Sequence, residues 1–216
     1  MVKDSLLENI IKPNNCDVFC HCWPQAADKV DIENKHPSYR IPDCFNPLFV
    51  DEIIDFLKPK SFLQEKPHYP EDVSNTICRN KSLFYSIMMS NKLKKNFEDM
   101  QKICYDIVIR ARWDLAYHTV LNLSKYQNDT IYIGNRPGSD SNGLNDWFAY
   151  GDSEIMNSYS DMFNVYEHIT KRLDGASRQH HPENIVGEHL RNITKDRAAV
   201  LYSIVRPNGI RLPIYE

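Results

Sequence analysis

The segment 105–115 constrains the fold more than any other part of the chain. Its apolar run Ile107-Val108-Ile109 is typical of a buried strand, and Arg110, Arg112 and Asp114 follow it directly. Alternate residues of an extended chain share a face, so we expect these three charged side chains to project together. Charges at the end of a buried strand are costly unless something pairs with them. Open α/β sheets bind ligands outside the carboxyl ends of their strands. The segment therefore predicts a site for an anion and a metal ion, such as a nucleotide diphosphate with Mn²⁺ or Mg²⁺.

Length and composition are those of an ordinary globular protein. A chain of 216 residues most often forms one domain, and 42% hydrophobic with 11% aromatic residues is enough for a core. The net charge of −3 provides no basic footprint for nucleic acid. No stretch approaches the ~20 apolar residues of a membrane span, and the first residues lack the apolar core of a secretion signal. We expect a single-domain cytoplasmic protein with no nucleic-acid partner and no membrane span.

The six cysteines leave disulfides or free thiols open. Cys20 and Cys22 share one short apolar segment, and the sequence suggests no export, so free buried thiols are the favoured interpretation. The cluster of Cys16, Cys20, His21 and Cys22 raises the possibility of zinc. Its spacing differs from the CxxC-type pairs of structural zinc sites, so the pattern favours thiols over a metal.

Helical and strand patterns alternate along the chain. The clearest helix is 82–100, whose apolar stripe predicts that Lys94 and Glu98 lie mostly on the solvent side. Another helix is expected over 154–168, capped by Asp152-Ser153. Further helices are expected near 5–11, 49–57 and 182–191, strands near 16–23, 60–65, 107–114, 130–134, 146–151 and 198–206, and loops over 24–48, 68–76 and 135–144. This order predicts an α/β layered fold with a mostly parallel sheet.

Several patches, taken in order, carry a resemblance to a known family. They are 15–23 (NCDVFCHCW), 82–87 (SLFYSI), 105–115 (YDIVIRARWDL), 145–151 (NDWFAYG) with Glu154 and Met156 to Tyr159, and a weaker Pro182-Glu183 with His189-Leu190. These patches are similar to the DVFxHxW, SMFYSI, YDxVIRxRxDL, NDxFAxG and PE…HL elements of a family of GT-A-type glycosyltransferases found in bacterial, viral and algal surface-glycan loci. Together they span most of the chain from 15 to 190.

The resemblance implies a fold and a set of ligands. The fold would be a GT-A-like (Rossmann-like) three-layer α/β/α domain with a mostly parallel central sheet over residues 1–216. The ligands would be a UDP- or GDP-sugar donor, a glycan acceptor and a divalent cation. The family's opening strand, with its Gly- and Arg-bearing turn, has no counterpart in this sequence. We therefore expect a domain that lacks this strand or builds its sheet differently.

The resemblance also suggests metal and donor residues. Asp114 matches the acidic cation motif, with one carboxylate where Asp-x-Asp is common; Mn²⁺ or Mg²⁺ would complete its shell with diphosphate oxygens and water. Arg110 and Arg112 would pair with phosphate, whereas the alternative is a buried Arg–Asp pair that only braces the strand. His189 matches a late metal ligand of several GT-A families, although packing and surface histidines are commoner.

Acid–base and donor-contact candidates complete the predicted site. Asp146 opens a strand directly after a polar loop and is the candidate base for the acceptor hydroxyl, with Glu183 behind it; the alternative is a hydrogen-bonding role in the loop. Tyr85 and Ser86 are expected near a helix N-terminus, where backbone amides favour anions. Trp113 and Trp147 would stack on a sugar or a base, or belong to the core.

Rival functions remain open from the sequence. One is a degenerate, non-catalytic module of the same fold that binds a glycan or a partner. Another is a metal-dependent phosphoester hydrolase, which usually needs several clustered carboxylates or histidines. The chain contains no GxGxxG, P-loop or GxSxG pattern, which argues against dinucleotide oxidoreductases, P-loop kinases and serine hydrolases of that type.

Overall fold

A computed structural model describes residues 2–22, 48–65, 76–134, 144–175 and 180–204. Most of the three expected loops, together with Trp23 and Cys44, lies outside these residues. The helices are α1 (Val2–Leu6), which continues into a π-helical segment (Leu7–Ile11), α2 (Leu48–Leu57), α3 (Thr76–Gln101), α4 (Ser153–Ser160), α5 (Met162–Arg172) and α6 (Pro182–His189). The strands are β1 (Phe19–Cys22), β2 (Ser61–Gln64), β3 (Val108–Arg110), β4 (Leu115–Tyr117), β5 (Thr130–Ile133), β6 (Ala149–Gly151), β7 (Thr194–Arg197) and β8 (Tyr202–Ile204).

The largest sheet among the described residues has four strands in the order β3-β6-β5-β7. Strands β3 and β5 both run antiparallel to β6, whereas β5 and β7 are parallel. Two smaller sheets pair β1 with β2 in parallel and β4 with β8 in antiparallel fashion. The expected mostly parallel sheet is therefore wrong for the described strands, where antiparallel pairings predominate. Continuous apolar runs indicate that both faces of a strand are covered, and they do not fix its direction.

Core residues cover both faces of the four-stranded sheet. The fold contains both helices and sheets and is mixed α/β, as expected. Ile131 and Ile133 of β5 pack with helical residues such as Phe84 of α3 and Ile169 of α5. Tyr132, between them in sequence, points to the opposite side and joins a second cluster. That second cluster also contains Leu6, Ile10, Leu115, Phe148, Tyr150 and Tyr202.

The N-terminal helical segment is fixed to the edge of β4. Ser5 Oγ accepts a hydrogen bond of 3.0 Å from the backbone N–H of Tyr117, and Asn9 Nδ2 donates one of 2.7 Å to the Tyr117 carbonyl. These side chains satisfy backbone groups that β4 would otherwise leave unpaired on that edge. The segment therefore covers one side of the chain directly after Asp114.

Other expected elements are confirmed with adjusted limits. Asp152 caps α4, because its Oδ1 accepts from the backbone N–H of Ile155 at 2.8 Å. The single helix expected over 154–168 is two helices, α4 and α5, that meet at Asp161. Strands β4 and β7 were not expected from the sequence. Among the helices of the described residues, none is long and apolar enough to cross a lipid bilayer.

The cysteines of the described residues are free as expected, but Cys20 is the one among them that is buried, and Cys104 is exposed. Cys16, Cys20, Cys22, Cys78 and Cys104, the cysteines within the described residues, are free. Burial raises the pKa of Cys20 to about 12, with a further contribution from Cys22. A protonated, buried thiol of this kind behaves as a small apolar side chain.

Helix α3 carries a buried charge network that the apolar stripe did not predict. Lys94 and Glu98 are 3% and 4% exposed, so their expected position on the solvent side is wrong. Lys94 Nζ donates to Glu98 Oε2 at 3.0 Å, to Ser153 Oγ at 2.6 Å and to Asn157 Oδ1 at 2.8 Å. The physical reason is that α3 packs against β1 and β2 on one side and against α4 and α5 on another, so little of its surface is left to solvent.

The ionised carboxylate of Glu98 stabilises the folded protein at pH values above its usual pKa. Burial opposes its charge, but hydrogen bonds from the Tyr105 backbone N–H, Ser153 and Lys94 outweigh this and lower the pKa of Glu98. A carboxyl whose pKa is lower in the folded state contributes stability above its unfolded pKa. That contribution is lost as the pH falls through its folded pKa.

Substitution of Lys94 tests the network. We expect Lys94→Met to destabilise the protein by ~3–5 kcal/mol, because it leaves the carboxylate of Glu98 buried without its cation. The matched control is Lys95→Met, which removes the exposed Lys95–Asp99 pair at the same spacing on the same helix and should leave stability unchanged. Urea unfolding measures both variants. Equal stabilities for the two would contradict the assignment of Lys94 to the interior.

Candidate functional site

A cavity of about 870 Å³ lies between α3, β1, the N-terminal helical segment and the chain from 105 to 114. Its volume falls in the range of ~300–1,000 Å³ typical of small-molecule sites. Apolar side chains form part of its wall, including Leu6 and Ile10 from the helical segment and Leu83 and Ile87 from α3. Charged and hydrogen-bonding side chains of its lining include Arg110, Arg112, Asp114, His21, Ser86 and Lys94.

The local structure of the Arg-Arg-Asp segment differs from a continuous strand. Strand β3 ends at Arg110, and a turn at Trp113 and Asp114 leads into β4. The expectation that three charged side chains share one strand face is therefore wrong. The turn nevertheless brings them to one cavity, because it folds Asp114 back towards Arg112.

Arg112 and Asp114 form a bidentate ion pair. Arg112 Nε donates to Asp114 Oδ1 at 2.8 Å, and Nη2 donates to Oδ2 at 2.6 Å. The Arg112 guanidinium also lies over the ring of Trp147, 5.8 Å from its centre. Burial disfavours the charge of Arg112, but the hydrogen bonds and the charge of Asp114 raise its pKa. This geometry is that of the strand-bracing pair, and both Asp114 oxygens already accept a hydrogen bond in it.

Arg110 is far less satisfied than Arg112. Its Nη1 donates to the carbonyl of Trp147, which is its sole hydrogen bond within the described part of the chain. Burial lowers the pKa of Arg110, and the nearby charge of Arg112 contributes in the same direction. A guanidinium carries several further N–H donors, and this one lines the cavity. Such a group is suited to bind an anion.

The turn at Asn145 sets the position of the second motif. Its Oδ1 accepts from the backbone N–H of Trp147 at 2.6 Å, and its Nδ2 donates to the hydroxyl of Tyr202 at 2.8 Å. The first contact is an Asx turn, which fixes the local backbone. The Trp147 carbonyl can then reach Arg110 while its ring reaches Arg112. Of the two candidate stacking residues, Trp147 is thus buried, whereas Trp113 is 39% exposed and lines the cavity.

Asp146 lies beside the arginines, behind the cavity wall. It is 4% exposed, and its charge favours the protonated forms of Arg110 and Arg112, although burial still lowers the pKa of Arg110. It does not belong to the cavity lining formed by the described residues. Glu183 follows closely in space, because its carbonyl accepts from the backbone N–H of Leu144 at 2.9 Å. This contact brings the backbone at Glu183 next to the segment that carries Asp146.

Two buried phenols adjoin the arginines. Tyr117 and Tyr159 are 1% and 0% exposed, and their hydroxyls have no hydrogen-bond partner among the described residues. Burial raises the pKa of Tyr159 to about 12, and burial likewise raises the pKa of Tyr117. The charge of Arg110 acts on both in the opposite direction. Unsatisfied polar groups of this kind cost ~1–3 kcal/mol each and are rare in native proteins.

Tyr85 and Ser86 lie in the interior of α3. The helix begins at Thr76 instead of Ser82, so the expected N-terminal turn is wrong and their backbone amides belong to helical hydrogen bonds. Tyr85 places its ring edge-on against His21 at 5.8 Å and against Phe163 at 5.2 Å. Ser86 lines the cavity.

His21 belongs to a constellation that the sequence did not reveal. Its Nδ1 lies 2.8 Å from Ser86 Oγ, and its Nε2 lies 3.0 Å from Glu65 Oε1. The DVFxHxW element already marked His21 as part of the family pattern, which was the available signal. Nothing in the sequence marked Glu65, because 44 residues separate it from His21.

His189 lies apart from the cavity. It belongs to α6, and its Nε2 donates to the Ser158 carbonyl at 2.7 Å. Among the described residues, no three His, Cys, Asp or Glu side chains cluster closely enough to hold a metal ion. Asp17 and Asp106 also line the cavity, and the resemblance to the family's acidic motif, not geometry, singles out Asp114 as the candidate metal ligand.

Comparison with known proteins adds no assignment. No protein-family model matches the chain, and no curated protein is significantly similar to it.

Removal of the Asn145 side chain tests the turn that joins the two motifs. We expect Asn145→Ala to destabilise the fold by ~2–3 kcal/mol, because it removes a partner from a buried amide and from a buried hydroxyl. The control is Asn122→Ala, which removes the same kind of turn at an exposed position, where Asn122 Oδ1 accepts from the Ser124 backbone N–H at 2.9 Å. Thermal unfolding compares the two. A larger loss for Asn122→Ala would refute this role of Asn145.

Proposed function

We propose that the protein is a GT-A-like glycosyltransferase. It moves a sugar from a UDP- or GDP-linked donor to a hydroxyl of a glycan acceptor, with Mn²⁺ or Mg²⁺. The order of the family-like motifs supports this reaction. The adjacency of the 105–115 and 145–151 motifs in space supports it further, since a common site is what their joint presence predicts.

The environment of Arg110 is the observation that supports the proposal most directly. It combines partial burial, a lowered pKa, a single hydrogen bond to the described residues and a position in the cavity lining. An anion at this position would restore the favourable interactions that the guanidinium lacks, and arginine suits the planar recognition of phosphate oxygens. A diphosphate also needs positive charge as it leaves, so the same group would stabilise the charge that develops during transfer.

The rest of the cavity suits the other parts of the donor. Its apolar wall from Leu6, Ile10 and Leu83 provides contact area for a base or a sugar ring face. Trp113, exposed on the rim, provides an aromatic face on which a sugar or base can stack. Tyr85 would act on the donor only through its neighbours, since it lies outside the lining, whereas Ser86 reaches the cavity directly.

A divalent cation fits the site only if it brings most of its own ligands. Asp114 is the protein ligand we assign, and it would share its carboxylate between the cation and Arg112. Magnesium commonly binds through one or two carboxylates with phosphate oxygens and water, so one carboxylate is compatible with it. When bound, the cation would neutralise charge on the diphosphate. His189 is a weaker candidate, because its Nε2 is already used by the Ser158 carbonyl.

Asp146 and Glu183 are the acidic candidates for the proton of the acceptor. The position of Asp146 near Arg110 and Arg112 supports a second role for it as a counter-charge. A carboxylate that balances two partly buried guanidiniums lowers the cost of holding both charges near the cavity. Asp146 therefore helps the arginines to remain charged and ready for an anion.

The charge of Arg110 can be tested without loss of its protein contact. Arg110→Gln keeps a donor for the Trp147 carbonyl, so the fold should persist. Loss of a charge-assisted hydrogen bond is worth ~1.5–3 kcal/mol, so we expect UDP or GDP to bind ~10–100-fold more weakly, with binding of the uncharged nucleoside unchanged. Calorimetry measures both ligands. Arg191→Gln, an exposed substitution on the surface, serves as the control, and equal loss for nucleoside and diphosphate would argue against phosphate recognition.

The cation assignment is tested at Asp114. We expect Asp114→Asn to abolish the Mn²⁺-dependent part of nucleotide binding while the unfolding temperature without ligand changes little, since the side chain is partly exposed. Asp106→Asn provides a control with the same change in charge at another residue of the cavity lining. Nucleotide-induced shifts in the unfolding temperature, with and without Mn²⁺, give the readout. Normal metal dependence in Asp114→Asn would refute the assignment.

The bidentate Arg112–Asp114 pair favours a second candidate, a non-catalytic module that binds a glycan or a partner. In that case the pair only braces the turn, and the cavity takes a sugar without a nucleotide. The same calorimetry separates the two functions. Binding of oligosaccharides with no binding of UDP, GDP or their sugars would support the module and exclude the transferase.

A further inference from the structure

Glu65, His21 and Ser86 form a continuous hydrogen-bonded chain that ends at the cavity. The imidazole of His21 lies between the other two, 3.0 Å from Glu65 Oε1 through Nε2 and 2.8 Å from Ser86 Oγ through Nδ1. The side chain of His21 is fully buried, and that of Glu65 is 25% exposed. Both Ser86 and His21 belong to the lining that also contains Arg110 and Asp114.

The chain fixes the direction of its own hydrogen bonds. An ionised carboxylate can only accept hydrogen bonds. Nε2 of His21 is therefore protonated and donates its hydrogen bond to Glu65. In the neutral ring Nδ1 then has a lone pair, and Ser86 must donate its hydroxyl hydrogen to it. The Ser86 oxygen keeps its own lone pairs for a donor in the cavity. This is the logic of a base oriented by an acid and joined to a hydroxyl.

The hydroxyl of Ser86 differs from that of its helical neighbour Ser90. Ser90 also lines the cavity, but its Oγ donates to the Ile87 carbonyl at 3.0 Å, the usual back-bond of a helical serine. Ser86 instead points out of α3 towards β1. The two serine hydroxyls thus line the same cavity, but one is bonded to an imidazole and the other to a helix carbonyl.

Rigid elements hold the chain in place. His21 lies on β1 and is paired with Leu63 of the parallel strand β2. Glu65 is the residue that directly follows β2. Helix α3, which carries Ser86, packs against both strands. Tyr85 places its ring against His21, so the imidazole is held from the helix side as well. Groups on a rigid scaffold of this kind are more accurately positioned than groups on loops.

We propose that Ser86 and His21 are the proton relay of the transfer reaction, in place of Asp146; this rests on the proposed function. The acceptor hydroxyl donates its proton to Ser86 Oγ while Ser86 passes its own proton to Nδ1 of His21. The acceptor oxygen forms the new bond to the anomeric carbon of the donor sugar. The bond from that carbon to the diphosphate breaks, and the nucleoside diphosphate leaves with the electron pair. The imidazolium that results is stabilised by the carboxylate of Glu65.

The substrate class follows from this geometry. The acceptor is a neutral alcohol, a sugar hydroxyl, that reaches Ser86 while the donor diphosphate lies at Arg110. Asp146 is a poorer proton acceptor for such a hydroxyl, because it is 4% exposed and lies outside the described lining of the cavity. The relay thus separates the proton-accepting groups from the anion-binding groups.

Steady-state transfer of sugar to a glycan acceptor tests the relay with Ser86→Ala, Ser86→Thr and Glu65→Gln. General base catalysis contributes ~10²–10⁴-fold, so we expect Ser86→Ala to lower kcat by about that factor with KM for the donor unchanged. Ser86→Thr keeps the hydroxyl and should recover most of kcat. Glu65→Gln should lower kcat without loss of nucleotide binding. Ser124→Ala, an exposed serine outside the described lining of the cavity, should behave as the unaltered protein.

The outcomes separate the relay from the proposed function. If the unaltered protein transfers sugar and Ser86→Ala does so equally well, the relay is refuted and the transferase stands. If the unaltered protein transfers no sugar from any UDP- or GDP-linked donor, the transferase is refuted and the relay with it. Imidazole ¹H–¹⁵N correlation spectra provide a readout independent of turnover. They should report His21 protonated on Nε2, with its Nδ1 resonance shifted in Ser86→Ala; a proton on Nδ1 would overturn the proposal.

Discussion

The antiparallel pairing of β3 with β6 determines the rest of the candidate site. It places Arg110 opposite Ala149, so the residues just before β6 lie beside the residues just after β3. The carbonyl of Trp147 can therefore accept from Arg110 while its ring receives Arg112. Arg110 and Trp147 are far apart in the sequence, and this register brings them into contact. The pairing converts separate sequence patterns into one charged wall of a cavity.

The coverage of both sheet faces sets the energetics of that wall. Tyr117 and Tyr159 exclude water on the protein side of Arg110, and their hydroxyls are buried without partners among the described residues. In a medium of lower dielectric constant, unpaired charge is costly and paired charge interacts strongly. Asp146 offsets part of the cost, and a ligand anion would offset more. The same burial that lowers the pKa of Arg110 therefore increases its attraction for phosphate.

The sequence revealed the features that depend on neighbouring residues. The apolar run before Arg110 predicted a strand, and Asp152 predicted a helix cap, because burial and capping are local properties. Strand direction, the interior position of Lys94 and the Ser86–His21–Glu65 chain all depend on contacts between distant segments. No pattern in one sequence encodes such contacts directly. Residues of the 105–115 and 145–151 motifs become neighbours through the pairing of β3 with β6.

The Arg112–Asp114 pair decides how the two functional candidates differ. A carboxylate held by two hydrogen bonds from one guanidinium is already neutralised, so a cation must compete with Arg112 for it. A donor diphosphate changes that balance, because its negative charge attracts Arg112 away from the carboxylate and the cation towards it. Nucleotide and metal would then bind cooperatively, each stabilising the arrangement that the other needs. A module that binds only neutral sugars supplies no such charge, and its Arg112–Asp114 pair would stay closed.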